Sequence, residues 1–357
     1  MIDTSFDIVH WIFWKNLLFW SVNIIAIISL FISVSYSYSK KTKTTFPAIC
    51  LYVLLYILLG NYPIEWGLHT DREHYAIYFL DFFYNKQQID YSQSEVGYQI
   101  IQYILSRFLT VQQFFLALTF IYLTNYYIAI KKIVKRNIYW LFLIVTLSMG
   151  FISYNLNTMR AGLAISFMIL GLSLYKSKLK LAICLIIAVS VHTSTIIPST
   201  IIGICYFFNK TSLYIKLWFL SIILSLIGGN YFNELFSGLS EDSRTDYLTT
   251  ENSHYNSGFR IDFIIYSLVP LIIGWLYIAK YNYKDRFYSI LYNSYILTNI
   301  FWVLVIRASY SDRFAYLSWC LIPFILGYPL LTQKLKLKEN YWLSLIILGE
   351  VLFKFII

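Results

Sequence analysis

NLNTMRAGLAISFMILGLSLYKSKLKLAICLIIAVSVHTSTIIP, residues 155–198, is the stretch that decides the fold. It holds an arginine at the head of an apolar helix (Arg160), a lysine-rich turn, and a second apolar segment with one histidine (His192). Ionisable side chains at membrane depth are costly and usually serve a pathway, a ligand or a partner. Arg160 and His192 are therefore the first candidates for a functional site.

The composition of the whole chain places it in a membrane. Its 357 residues are 59% hydrophobic and 13% charged, whereas soluble domains carry about 25% charged residues. Several apolar runs approach the ~20 residues that cross a bilayer as a helix. The sequence predicts an all-α polytopic transmembrane protein, surrounded by membrane lipid, with one domain over residues 1–357 and no nucleic-acid partner.

The apolar segments predict about twelve membrane-crossing helices. The segment 181–208 counts twice, because one crossing would put Lys176, Lys178 and Lys180 on the opposite side from Lys210 and Lys216, against the positive-inside rule. His192 and Pro198 also give this segment a natural break. Polar loops at 61–95 and 230–260 are expected on the outer side, and 96–109 is expected to be an amphipathic helix. The predicted spans are 16–36, 46–60, 111–130, 138–154, 161–175, 181–208, 217–229, 261–279, 287–306, 314–331 and 341–357.

Lysines and arginines are distributed differently between the two sides of the predicted membrane topology. Most lysines fall in the inner turns, whereas most arginines fall on the outer side. A rigid guanidinium fork binds phosphate or carboxylate in a bidentate way, so this asymmetry favours an anionic ligand at the outer face. The outer arginines are Arg72, Arg107, Arg160, Arg244, Arg260, Arg307 and Arg313.

Arg160 and His192 reach similar depth on consecutive helices. From the lysine turn, about 24 Å of helix leads back to Arg160 and about 18 Å leads on to His192, at 1.5 Å per residue. The sequence contains no HExxH pattern, CxxC pair or phosphate-binding glycine loop. Neither a metal nor a cofactor is therefore expected.

Six motifs, in order along nearly the whole chain, resemble those of Wzy-type bacterial polysaccharide polymerases, specifically the EpsG-like group. The arginine-led helix and the histidine motif described above are two of them. The sequence departs from the acidic motif at Arg72, where the family often has tryptophan or tyrosine. The motifs are HTDREHYAIYF, SEVGYQIIQYIL, NTMRAGLAISFMIL, AVSVHTSTIIP, GFRIDFIIYSLVP and SDRFAYLSWCLIPFILGYPLL.

The resemblance implies a metal-independent membrane glycosyltransferase at the outer face of the bacterial inner membrane. Such enzymes transfer a growing glycan from undecaprenyl diphosphate to a hydroxyl of a new lipid-linked repeat unit, for O-antigen, capsule or exopolysaccharide. A chain-length regulator is a further partner that the resemblance suggests. Matching positions assign catalytic roles to Arg160, His192, Arg313 and Asp71, and substrate binding to Tyr75, Glu95, Arg260 and Asp312. Arg72, which departs from the family pattern, is a further candidate for substrate binding.

Two other classes of function stay open on the sequence. One is a related membrane enzyme. An O-antigen ligase would use similar arginine and histidine chemistry, whereas a membrane acyltransferase would take its acyl donor from the cytoplasmic side or through the membrane, and the sequence shows no cytoplasmic catalytic cluster. A transporter or flippase of lipid-linked glycan would instead be expected to show inverted repeats and charged residues in mid-span. The sequence shows no internal repeat, and its charges cluster near the outer ends of the helices.

Overall fold

The computed structural model describes residues 7–36, 43–68, 70–84, 88–92, 94–228, 231–237, 258–308, 311–335 and 338–356. Contacts between Cα atoms divide the chain into two compact units, the first of residues 1–199 and 330–357 and the second of residues 200–329. The prediction of one domain over the whole chain is not tested by this division.

All regular structure in the described residues is helical, which confirms the all-α fold class. A 3₁₀ turn, Thr193–Thr195, follows α9. The α-helices in chain order are α1 (Ile8–Ser33), α2 (Thr45–Gly60), α3 (Asp71–Tyr84), α4 (Val96–Ser106), α5 (Val111–Val134), α6 (Ile138–Leu147), α7 (Phe151–Leu156), α8 (Met159–Ser173), α9 (Lys178–Val191), α10 (Ile196–Phe207), α11 (Thr211–Gly228), α12 (Tyr231–Ser237), α13 (Ile261–Ala279), α14 (Arg286–Leu304), α15 (Ser311–Trp319), α16 (Ile322–Thr332) and α17 (Glu339–Ile356).

Five helical segments are long and apolar enough to cross a membrane: Ile8–Ser33, Val111–Val134, Thr211–Gly228, Ile261–Ala279 and Ser311–Thr332. Shorter apolar helices add Thr45–Gly60, Ile138–Leu147, Met159–Ser173 and Thr193–Phe207. The multi-helix membrane protein expected from the sequence is thus supported. The count of twelve crossings stays a prediction.

The predicted span 138–154 is two helices rather than one. α6 ends at Leu147, Ser148 is extended (ψ 150°), and Gly150 has a positive φ of 91° before α7 begins. A left-handed backbone is open to glycine at no steric cost and interrupts a right-handed helix. The apolar composition of the segment hides this break, because hydropathy does not report backbone geometry.

The predicted break at His192 is confirmed. The His192 backbone is extended (φ −151°, ψ 118°) between α9 and the 3₁₀ turn. Its carbonyl accepts a hydrogen bond from the Thr195 hydroxyl at 2.7 Å. The Thr195 backbone N–H also donates to this carbonyl, at 3.1 Å, so the 3₁₀ turn and a polar side chain together satisfy a backbone group at the break in the helix.

The polar stretch 61–95, predicted to be an outer loop, contains the 14-residue helix α3. Its buried residues recur at steps of three and four, which is the period of a helix face packed on a core. These are Arg72, Glu73, Tyr75, Ala76, Phe79 and Phe82. The loop prediction was wrong here because many charges around this stripe mask the apolar periodicity. In the other predicted loop, 231–237 forms α12, and residues 238–257 lie outside the described part.

Helix α8 packs between α5 and α9 in the first unit. Polar pairs join it and its neighbour α7 to α5: the Asn125 amide donates to the Ser166 hydroxyl (3.0 Å), and the Thr119 hydroxyl donates to Asn155 Oδ1 (3.1 Å). At the start of α5, Thr110 caps the Gln113 N–H and Gln113 returns a hydrogen bond to the Thr110 N–H. These contacts fix the helix that carries Arg160.

The second unit contains a buried polar network centred on Asn299 of α14. The Asn299 amide accepts a hydrogen bond from Trp218 Nε1 (2.7 Å) and donates to the hydroxyls of Ser267 (3.1 Å) and Ser318 (2.9 Å). Asn299 is fully buried, so it links α11, α13 and α15 through contacts that water cannot replace.

Replacing Asn299 should therefore destabilise the second unit. We expect Asn299→Leu to lower the midpoint of thermal unfolding in detergent, because it leaves a buried indole N–H without its acceptor, at a cost of about 1–3 kcal/mol. Thr298→Val is the matched control, since the Thr298 hydroxyl is equally buried and has no hydrogen-bond partner among the described residues. Equal midpoints for the two variants would contradict a stabilising role of the network.

Candidate active site

The site is built around Glu95, which lies immediately before α4. Its backbone is left-handed (φ 69°, ψ 33°), an uncommon conformation for a residue with a side chain. Its side chain is only 3% exposed. A strained backbone under a buried carboxylate indicates that the surrounding contacts hold Glu95 in place.

The Glu95 carboxylate binds side chains from two other helical segments. Arg160 Nη1 donates to Oε2 at 2.8 Å, and His192 Nδ1 bonds Oε1. The backbone N–H of Thr193 also points to Oε1, at 3.4 Å. One carboxylate thus joins the head of α4, the head of α8 and the break after α9.

A close helix approach brings Glu95 to His192. A Cβ atom on Gly97 would lie 2.4 Å from the Ser190 hydroxyl and 2.8 Å from the Ser190 carbonyl atoms. Only glycine therefore lets α4 lie this close to α9, at positions two residues from Glu95 and two residues from His192. The backbone at residues 95–97 therefore packs against the backbone at residues 190–192.

A second close approach positions Arg160. A Cβ atom on Gly162 would lie 2.2 Å from the carbonyl oxygen of Tyr154, so α8 can follow α7 only with glycine at this position. Arg160 lies in the first turn of α8, with its side chain 36% exposed. One edge of its guanidinium is engaged by Glu95, and the side chain remains accessible elsewhere.

Two tyrosines pack against the Arg160 guanidinium. The ring centroids of Tyr75 and Tyr98 lie 5.5 and 5.9 Å from its central carbon, within the range of cation–π contacts. The Arg160 charge also acts electrostatically on the Tyr75 hydroxyl, which favours its ionised form and partly opposes the effect of burial on its pKa. Burial raises the pKa of both phenols, so both remain protonated and neutral at physiological pH.

His192 is held in one orientation by its carboxylate partner. An ionised carboxylate only accepts hydrogen bonds, so Nδ1 carries the proton of the neutral imidazole and Nε2 carries the lone pair. Nε2 has no hydrogen-bond partner among the described residues, and the side chain is 18% exposed. This is the arrangement of a general base oriented by a carboxylate, which also stabilises the imidazolium that forms.

Asp71 and Arg72 stand apart from this cluster. Asp71 is the exposed first residue of α3, one helical turn before Tyr75. Arg72 is buried against the rings of Phe115 and Tyr62. Of the first-unit residues proposed from the sequence, the structure therefore brings together Tyr75, Glu95, Arg160 and His192.

The remaining candidates lie in the second unit. Arg260 binds Asp262 through two hydrogen bonds (3.0 and 2.6 Å) and stacks on Phe263, 3.7 Å from the ring centroid. Asp312 is close enough to add to the electrostatic stabilisation of the Arg260 charge. Arg313 is exposed on α15. The roles assigned to these residues stay predictions.

Sequence reasoning missed two members of the cluster, Tyr98 and Thr193. Tyr98 is three residues after Glu95 and belongs with Gln102 and Ser106 to the buried face of α4. Thr193 directs both its backbone N–H (3.4 Å) and its hydroxyl (3.5 Å) to Glu95 Oε1, and its place directly after His192 in the histidine motif is the signal that could have identified it. Among the described residues, no three His, Cys, Asp or Glu side chains come together as metal ligands.

The geometry predicts that Gly97→Ala disrupts the site. The added methyl group would collide with the backbone of Ser190 and force α4 away from α9. Overpacking of this kind costs about 1–3 kcal/mol, so we expect a lower midpoint of thermal unfolding in detergent. Gly203→Ala is the control, because a Cβ at Gly203 meets no atom within 4 Å. An unchanged midpoint for Gly97→Ala would show that the close approach is not needed.

Comparison with known proteins yields one family. Searches of curated proteins and of solved structures give no match. The EpsG family matches residues 48–356, a range that includes the site residues of both units. The chain therefore belongs to the EpsG family, a family of Wzy-like polymerases.

Proposed function

We propose that the protein polymerises lipid-linked oligosaccharide repeat units in the bacterial inner membrane. Membership of the EpsG family supports a polysaccharide polymerase of glycosyltransferase type. The proposed donor is a growing glycan on undecaprenyl diphosphate, and the acceptor is a sugar hydroxyl of a new lipid-linked unit. An outer active site is proposed because lysines concentrate in the opposite set of turns.

The observation that carries the proposal is the Glu95 carboxylate bound to both His192 and Arg160. In the proposed reaction, the acceptor hydroxyl oxygen forms a bond to the anomeric carbon of the donor. The bond from that carbon to the diphosphate oxygen breaks, and undecaprenyl diphosphate leaves. His192 Nε2 takes the hydroxyl proton, and Glu95 stabilises the resulting imidazolium.

Arg160 is placed to stabilise charge on the leaving group. Its guanidinium is fixed by Glu95 and by two tyrosine rings, but 36% of the side chain is exposed. A preorganised cation stabilises a developing oxyanion without reorganising during the reaction. The roles of Arg260 and Arg313, both in the second unit, stay those that the family resemblance implies. Asp71 is proposed to position the acceptor.

Complementation in the host tests the reaction. The gene is deleted, and wild type is returned at matched membrane level. Surface polysaccharide is then separated on a gel. A deletion that leaves a single repeat unit, with the ladder restored by wild type, supports the polymerase. Finished polymer stranded on the lipid carrier would instead indicate a ligase, and unchanged polymer lacking an acyl group would indicate an acyltransferase.

We expect Glu95→Gln to lower the rate of polymerisation by about 10²-fold, the typical contribution of general acid–base catalysis. Glutamine preserves the size of the side chain but removes the charge that stabilises the imidazolium and Arg160. The measurement is incorporation of labelled repeat units in membranes.

The control for this variant is Asp90→Asn, a substitution in the exposed segment before Glu95 that removes a similar charge outside the cluster. Wild-type incorporation by Glu95→Gln would exclude the proposed role of Glu95. Equal losses in the two variants would indicate a general effect of charge.

A further inference from the structure

Arg72 occupies a core position of α3. The buried stripe of this helix runs from Arg72 through Tyr75 and Ala76 to Phe79. At each later step of three or four residues the stripe has an apolar or aromatic side chain, as packing requires. At its first step it has an arginine that is 2% exposed.

The charged end of Arg72 has aromatic neighbours, and no residue in the described part of the chain accepts a hydrogen bond from it. Its central carbon lies 4.1 Å from the centroid of the Phe115 ring and 5.9 Å from that of Tyr62. Nε, Nη1 and Nη2 are all buried, and none has a hydrogen-bond partner among the described residues. The guanidinium therefore packs against two aromatic rings, while all three of its nitrogens are without hydrogen bonds to the described residues.

This arrangement costs stability in the absence of a ligand. Burial lowers the pKa of Arg72 to about 9, so the side chain still carries its charge at pH 7. A buried guanidinium whose donors form no hydrogen bonds is expensive, and an apolar residue of similar size is often more stable in its place. Packing alone therefore does not explain an arginine at this position.

We propose that Arg72 is an anion-binding site, separate from the Glu95 cluster, that takes an oxyanion of the substrate. A planar fork with its donor edge free matches two oxygens of a carboxylate or a phosphate. The source is either a carboxylate on the glycan or the lipid diphosphate. The identification of the anion as part of the substrate rests on the proposed function; the presence of an anion-binding site at Arg72 does not.

The segment between α2 and α3 controls access to this site. Tyr62 flanks the guanidinium, and Glu65 of the same segment is near enough to interact electrostatically with Arg72. Glu65 is itself bound by Trp11 Nε1 of α1, and the Gly67 N–H donates to Glu73 at 2.7 Å. Binding therefore requires residues 61–68 to shift. The oxyanion then takes the place of the protein atoms that bury the Arg72 nitrogens.

The test compares wild type, Arg72→Met and Arg107→Met as purified full-length proteins in detergent. Arg107 is the matched control, because it is an exposed arginine of the same unit stacked on one tyrosine ring. Thermal unfolding is measured with sodium chloride, sodium glucuronate or inorganic diphosphate at equal ionic strength. Glucuronate probes the carboxylate source, and diphosphate probes the lipid source.

We expect Arg72→Met to unfold about 2 °C or more above wild type in chloride, since it removes an unpaired buried charge. We expect one of the two probes to raise the midpoint of wild type and Arg107→Met but not that of Arg72→Met. The proposal is overturned if neither probe stabilises wild type, if Arg72→Met responds equally, or if Arg72→Met is less stable in chloride. None of these results depends on polymerisation, so the proposed function can fail separately.

Discussion

The first unit depends on one carboxylate placed between a guanidinium and an imidazole. Glu95 is buried, so its charge is tolerable only with compensating partners, and Arg160 and His192 supply them. Each partner in turn belongs to a different helical segment. If any one of the three side chains is removed, a remaining one loses either its charge compensation or the contact that orients it. The packing of three helical segments and the chemistry of the cluster therefore depend on each other.

Glycines make this electrostatic arrangement possible. Gly97 and Gly162 let α4 and α8 approach neighbouring backbone at distances that no other residue permits. Small residues are common where membrane helices pack closely, because lipid provides no hydrophobic drive for association. Here the same glycines bring the backbones close enough for the side chains of Glu95, Arg160 and His192 to contact one another. In the first unit, the glycines beside the charged residues therefore allow both the close helix packing and the contacts of the site.

Much of this organisation was predictable from residue type and spacing. The helical membrane fold follows from the apolar runs, and the break at His192 from the lysines that flank it. Arg160 and His192 were predicted to be near each other from their depth, but their junction at Glu95 was not. That contact depends on the left-handed backbone of Glu95 and on a helix approach at Gly97, which are tertiary properties. Helix α3 was missed because charges obscured its buried stripe.

The backbone of Glu95 limits what evolution or design can place at this position. A φ of 69° suits glycine, asparagine or aspartate, and strain there costs glutamate about 1–3 kcal/mol. Glycine has no side chain, asparagine has no charge, and aspartate is one methylene shorter. No amino acid therefore both favours this backbone conformation and reaches Arg160 and His192 with a carboxylate. The chain accepts a local conformational penalty here, and tolerance to substitution at residue 95 should be narrow for that reason.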